Sequence, residues 1–252
     1  MHFRANDGAE LAFEEQGSGE PVFLFIHGWQ ADRTVWRDVA AALGAGAHVL
    51  LPDARGSGES QSARGPYGLE RFAADLRELI EARGLGPVVL AGHSMGATVA
   101  MRFAVDNPDL VRALVLIAPV PASGGGYSPK GAAYLRSTAG DPAAQRNWLS
   151  RTFAQAPDDA TLERLCAAAA KTARDVALES FESWAHADFA EATRTIAAPA
   201  LVIAPEHDAR DTRERVAGLL PNARYVELPG CAHYAILEQP QAIAELMREL
   251  VA

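Results

Sequence analysis

The chain has 252 residues, 49% of them apolar and 22% charged, with a formal net charge of −9 at pH 7. That size and apolar fraction suit a single α/β domain with a substantial core. The acidic balance excludes nucleic acid, whose phosphates require a basic face. No apolar run approaches the ~18–20 residues of a membrane span, so no membrane partner is expected. The opening, MHFRANDGAELAF, has no apolar signal core. The two cysteines, Cys166 and Cys231, form neither a metal pattern nor a disulfide framework. A cytoplasmic location is therefore expected, and the composition leaves the oligomeric state open.

In chain order, a first strand is predicted over 11–15, after a turn at Asp7-Gly8. The run Val22-Phe23-Leu24-Phe25-Ile26 is apolar throughout and stops at His27-Gly28. A helix is predicted over 34–43, where Val35, Trp36, Val39, Ala40 and Leu43 share a side. Val49-Leu50-Leu51 ends at Pro52-Asp53. Leu69, Phe72, Leu76, Leu79 and Ile80 have the spacing of an amphipathic helix over 69–83. Further strands are predicted at 88–91, 113–117, 201–203 and 225–228, and a closing helix over 236–251. Uninterrupted apolar strands alternating with helices imply a mostly parallel, doubly wound α/β sheet covered on both faces. Residues 121–190 break the alternation. They open on Ser123-Gly124-Gly125-Gly126-Tyr127 and continue with helical patterns and no convincing strand. The expected organisation is a core of 1–120 and 191–252 carrying a helical cap insertion over 121–190.

Ligands of open α/β sheets bind at the carboxyl ends of the strands, where His27, Asp53, Ser94, Asp208 and His233 fall. Gly92-His93-Ser94-Met95-Gly96 fits G-x-S-x-G in its strand–turn–helix setting. A serine on so tight a turn is forced into an unfavourable backbone conformation, and flanking glycines relieve the crowding. The alternative is a plain helix N-cap. A serine hydroxyl needs a base, and His233, after the last strand, is the candidate. The base needs a carboxylate. Asp208 supplies the chain order Ser…Asp…His, with Glu206 its rival and Asp211 placed too near the next helix. His93 is read as a packing residue and His27 as bonding within its own loop. Two backbone amides are needed for the oxyanion: Met95, after the nucleophile, and Trp29, in the loop that Gly28 lets curl toward the site. Gly28, Tyr127 and Trp184 are named as substrate-binding residues, with Trp148, Phe153 and Phe181 as further candidate walls. Arg136, Arg151 and Arg164 lie in the insertion without forming a cluster.

These motifs together (His27-Gly28-Trp29, Asp53-Ala54-Arg55-Gly56-Ser57-Gly58-Glu59-Ser60, the Ser94 turn, Asp208 and His233) resemble the α/β-hydrolase superfamily in its helical-capped branch of serine esterases, lactonases and perhydrolases. The resemblance spans almost the whole chain. It implies an α/β-hydrolase fold, a Ser94–Asp208–His233 triad and a mainly structural Asp53 segment. It implies neither a metal nor an organic cofactor. Two features depart from the pattern: Pro205 stands where a glycine is usual in the acid turn, and no His-Gly-Gly-Gly loop is present. A serine in the elbow argues against dehalogenase and epoxide hydrolase chemistry, which uses aspartate. The expected function is hydrolysis of a small or medium carboxylic ester or lactone. Perhydrolysis, carbon–carbon bond hydrolysis and a hydrolase-fold ligand receptor are the alternatives.

Overall fold

Continuous apolar strands place side chains on two buried faces, and the sheet uses both. A computed structural model describes residues 1–208 and 215–252. The strands are β1 (His2–Arg4), β2 (Glu10–Gln16), β3 (Val22–Ile26), β4 (His48–Pro52), β5 (Val88–His93), β6 (Val111–Ile117), β7 (Ala200–Pro205) and β8 (Ala223–Leu228). They form one sheet in the order β1-β2-β4-β3-β5-β6-β7-β8. β1 and β2 pair antiparallel, β2 runs antiparallel to β4, and the pairings from β4 onward to β8 are parallel. The mostly parallel α/β sheet is thus present with an antiparallel edge.

Side chains two apart point the same way in a strand. Leu24, Leu90, Leu114 and Val202 accordingly join one buried cluster with Phe72, Leu79, Val99 and Phe103. These last four belong to α2 (Leu69–Ala82) and α3 (Met95–Asp106). Phe25, Val49, Val115 and Ile203 face the other way, packing with Val39 of α1 (Arg37–Leu43) and with Ile243 and Met247 of the C-terminal helix, Pro240–Val251. Each fully buried side chain of this kind contributes about 1.5–3 kcal/mol.

Two helix expectations differ from the structure. The segment 34–43 begins as a 3₁₀ turn, Arg33–Trp36, before α1. Asp32 caps that turn by accepting from the Thr34 amide. The helix expected over 236–251 is two helices, Ala235–Glu238 and Pro240–Val251. Pro240 has no amide proton and forces Gln239 out of the helical region, to φ −138°.

Between β6 and β7 lie α4 (Pro129–Thr138), α5 (Pro142–Leu149), α6 (Asp159–Lys171) and α7 (Arg174–Ala185). Ser128, Asp141 and Asp158 start the first three, each accepting an amide hydrogen of the first turn. No strand occurs in this segment. No helix among the described residues is long and apolar enough to cross a membrane.

Candidate active site

The site is built where the strand order reverses. β3 lies between β4 and β5, and Ile26 pairs with Gly92, so the loops leaving β3 and β5 emerge side by side. Ser94 follows β5 directly and holds φ 55°, ψ −120°, a left-handed conformation that L-residues avoid. Such strain costs about 1–3 kcal/mol. The apolar burial of α3 outweighs it: Val99, Ala100 and Phe103 are 0% exposed. The turn is pinned from both sides by Ser94 N–H donating to Ile117 O and Ala97 N–H donating to Ser94 O, each at 3.0 Å. The Ser94 side chain makes no capping hydrogen bond. The N-cap reading therefore fails, and the hydroxyl stands in a cleft.

The glycines of the motif are steric requirements. A Cβ on Gly96 would lie 2.2 Å from Ile26 O, and one on Gly92 would lie 2.3 Å from Gly96 O. Both neighbours are backbone and cannot turn aside. Gly96→Ala is expected to destabilise the fold by several kcal/mol, of the order that overpacking reaches at its upper end. A thermal melt within 2 °C of the parent would contradict this.

The cleft encloses about 240 Å³ and is lined by Gly28, Trp29, Ser94, Tyr127, Trp184, Asp208 and His233, among others. Seven of the eight sequence-predicted site residues thus meet in one cavity. The eighth, Met95, is not among the residues lining that cavity. Its side chain points into the apolar core, toward a separate small void beside Phe72 and Leu76. As the first residue of α3, its amide has no partner within the helix. Gly28 brings the β3 loop against the elbow: a Cβ there would come within 3.3 Å of Ser94 Cβ.

His233 and Asp208 meet directly, with His233 Nδ1 donating to Asp208 Oδ2 at 2.6 Å. That bond sets the tautomer and leaves Nε2 unprotonated in the neutral ring. Burial opposes charging of His233, but the charge and hydrogen bond of Asp208 together outweigh it, raising its pKa above the ordinary 6.5. The rival acid is engaged elsewhere: Glu206 accepts from the Gly230 amide at 2.7 Å. Asp211 lies outside the described residues. Ser94 and His233 line the same cleft without a hydrogen bond joining their side chains. Such contacts commonly tighten only when substrate binds.

His93 does more than pack. Its Nε2 donates to the backbone carbonyl of His233 at 2.7 Å, anchoring the loop that carries the candidate base. Burial first, and the neighbouring His233 next, hold its pKa down to about 3, so the ring stays neutral. Nothing in the spacing betrayed this, because the acceptor is a main-chain oxygen 140 residues away. His27 bonds as expected within its surroundings, Nδ1 donating to Gly28 O and Nε2 accepting from the Ala54 amide. Asp53 accepts from the amides of Arg33 and Glu59 and pairs with the Arg33 guanidinium.

The loop after β3 is also tied to the overlying helices. Trp29 Nε1 donates to Ala177 O of α7 at 2.9 Å. Gln30, itself at φ 53°, donates to Thr138 Oγ1 at 2.8 Å and accepts from Gln145 at 2.7 Å. Trp148 and Trp184 set their rings 5.5 and 5.7 Å from that of Trp29. Phe153 and Phe181 are not cleft walls: Phe153 stacks on Tyr234, and Phe181 is fully buried beneath Trp29 and Trp184. Among the described residues no group of three His, Cys, Asp or Glu side chains is placed to hold a metal ion.

The sequence profile of the alpha/beta hydrolase family matches residues 23–246. The chain belongs to that family. An uncharacterized protein of Mycobacterium bovis is 38% identical to this α/β hydrolase over 117 residues, which is 46% of this chain and 34% of the relative. The chain thus matches only about a third of that relative's length. A putative non-heme bromoperoxidase, BpoC, of Mycobacterium tuberculosis is 29% identical over 96% of this chain and 97% of its own. Among solved structures, a thermophilic esterase from Thermogutta terrifontis superposes with a TM-score of 0.83 at 28% identity, covering 99% of this chain and 97% of its own.

Proposed function

We propose that this α/β hydrolase is a serine hydrolase cleaving small-to-medium carboxylic esters or lactones through an acyl-enzyme. The observation that carries the reading is the 2.6 Å bond from His233 to Asp208, in the same cleft as a serine held at positive φ. The Ser94 hydroxyl attacks the carbonyl carbon as its proton passes to His233 Nε2. The oxygen that becomes anionic is met by the amides of Met95 and Trp29. The carbon–oxygen bond to the alcohol breaks, and the alcohol leaves with the proton from Nε2. Water then attacks the acyl carbon, giving its proton to His233, and the acid departs as Ser94 recovers its own. Asp208 stays ionised throughout and stabilises the imidazolium.

Gly28, Tyr127 and Trp184 shape the substrate space, and the cavity of about 240 Å³ favours a small acyl group. A panel of 4-nitrophenyl esters and lactones of graded size tests this. Turnover is expected to peak at short chains and to vanish in Ser94→Ala, and turnover that survives in that variant refutes the mechanism.

Likeness to BpoC along nearly the full length supports a second reading, perhydrolysis, in which peroxide replaces water on the same acyl-enzyme. Peracid formation from acetate and hydrogen peroxide, faster than ester hydrolysis, would favour it.

A further inference from the structure

The helical segment over the cleft carries five arginines, and four are satisfied. Arg136 pairs with Glu182 at 2.6 Å and lies over the Phe181 ring. Arg146 pairs with Glu163 at 2.6 Å. Arg164 donates to Thr34 O, and Arg174 donates to Ala139 O. The fifth, Arg151, lines the cleft with Ser94 and His233, and its guanidinium has no acceptor among the described residues. Among the described residues one carboxylate lines that cleft, Asp208, and it is bonded to His233.

The backbone at Arg151 is held in place, while its side chain is exposed. Its amide donates to Trp148 O at 3.0 Å. The next residue, Thr152, accepts from the Tyr234 amide at 3.2 Å, one residue past His233. Glu238 then clamps both loops, accepting from the amides of Ala154 and Ala232 at 2.8 Å each. The arginine loop and the His233 loop therefore form one unit. Trp184 lines the same cleft and is 3% exposed, and its indole Nε1 is buried without a hydrogen-bond partner. A chain of net charge −9 repels anions at long range, so an anionic substrate needs a local cation of this kind.

Building on the ester-hydrolase reading, we propose that the substrate bears a carboxylate beyond the scissile bond, and that Arg151 receives it. Guanidinium and carboxylate match as a planar, two-pronged pair. Arg151 thereby selects half-esters of small dicarboxylic acids, or esters of hydroxy acids, over neutral esters of equal length.

The test uses two matched pairs. With the charge on the acyl half, the 4-nitrophenyl half-ester of glutaric acid is set against 4-nitrophenyl pentanoate. With the charge on the alcohol half, 3-butyryloxypropanoate is set against propyl butyrate. In at least one pair the anionic ester is expected to have the higher kcat/KM by about tenfold. That ratio should collapse toward one in Arg151→Met and be partly restored in Arg151→Lys. Which pair responds tells which half of the substrate carries the charge. A ratio of one or less in both pairs overturns the proposal, as does a preference that survives in Arg151→Met. Calorimetry with glutarate gives a readout independent of turnover, with binding expected to weaken about tenfold in Arg151→Met. Equal binding overturns the proposal. Arg151-dependent glutarate binding in a protein that cleaves no ester supports the anion subsite and sinks the ester reading instead.

Discussion

Ser94→Ala and His233→Ala are each expected to lower kcat for a 4-nitrophenyl ester by about six orders of magnitude, with the double variant scarcely worse. In the proposed mechanism nucleophile and base act as one unit, so removing either forfeits nearly the whole covalent route. The residual rate comes from amides and walls that remain. The fold should survive Ser94→Ala, because alanine meets the same positive φ of 55° that serine does. Ser94→Gly is more informative for stability. Glycine tolerates that conformation, so this inactive variant should be more stable than the parent by about 1–3 kcal/mol. Denaturant unfolding of the three proteins checks this, and a glycine variant less stable than the parent would show that the elbow stores no strain.

Asp208→Asn is expected to cost about 10⁴ in kcat, the scale seen when a triad carboxylate becomes an amide and the wrong tautomer is held. The pH profile should move with it. The base must be neutral to accept a proton, so kcat/KM falls as pH drops through the His233 pKa. That pKa is raised above 6.5, burial being overcome by Asp208. The acid limb of the parent should therefore lie above pH 6.5. With the carboxylate gone, burial acts alone and lowers the pKa, so the limb of Asp208→Asn should lie at lower pH. Glu206→Gln is the control. It weakens the bond to the Gly230 amide, costs stability on the order of 1 kcal/mol, and leaves the limb where it was. A limb that shifts in Glu206→Gln and stays in Asp208→Asn would transfer the acid role.

The fold was legible because its signals are local. Val22 to Ile26 is apolar on both faces and has no reading other than a buried strand or helix segment, and its five residues and glycine stop favour the strand. β1 escaped notice because His2–Arg4 is short, polar at both exposed ends and rests on a single buried Phe3. The apolar spacing resumes in phase after Pro240, so the sequence pattern shows one closing helix where the structure has two.

Site positions were legible where a motif ties residue type to backbone shape, as at Gly92, Ser94 and Gly96. Two residues apart on one turn, Asp208 and Glu206 look alike in sequence. They differ only in what each faces: the His233 imidazole or the Gly230 amide. The carbonyl held by His93 and the unpaired guanidinium of Arg151 depend on contacts between distant segments. Arg136, Arg151 and Arg164 look equivalent along the chain, yet only the guanidinium of Arg151 lacks an acceptor among the described residues.

Trp29 and Gln30 belong to the sheet's loop but are bonded to α7, α4 and α5. Exchanging the helical segment alone between two such hydrolases would keep a main-chain acceptor at 177 for the Trp29 indole but could remove the Thr138 and Gln145 side chains that hold the Gln30 amide. Chimeras should therefore keep this loop in place only when residue 30 travels with Thr138 and Gln145. The helical segment and the loop beside Ser94 are inherited together.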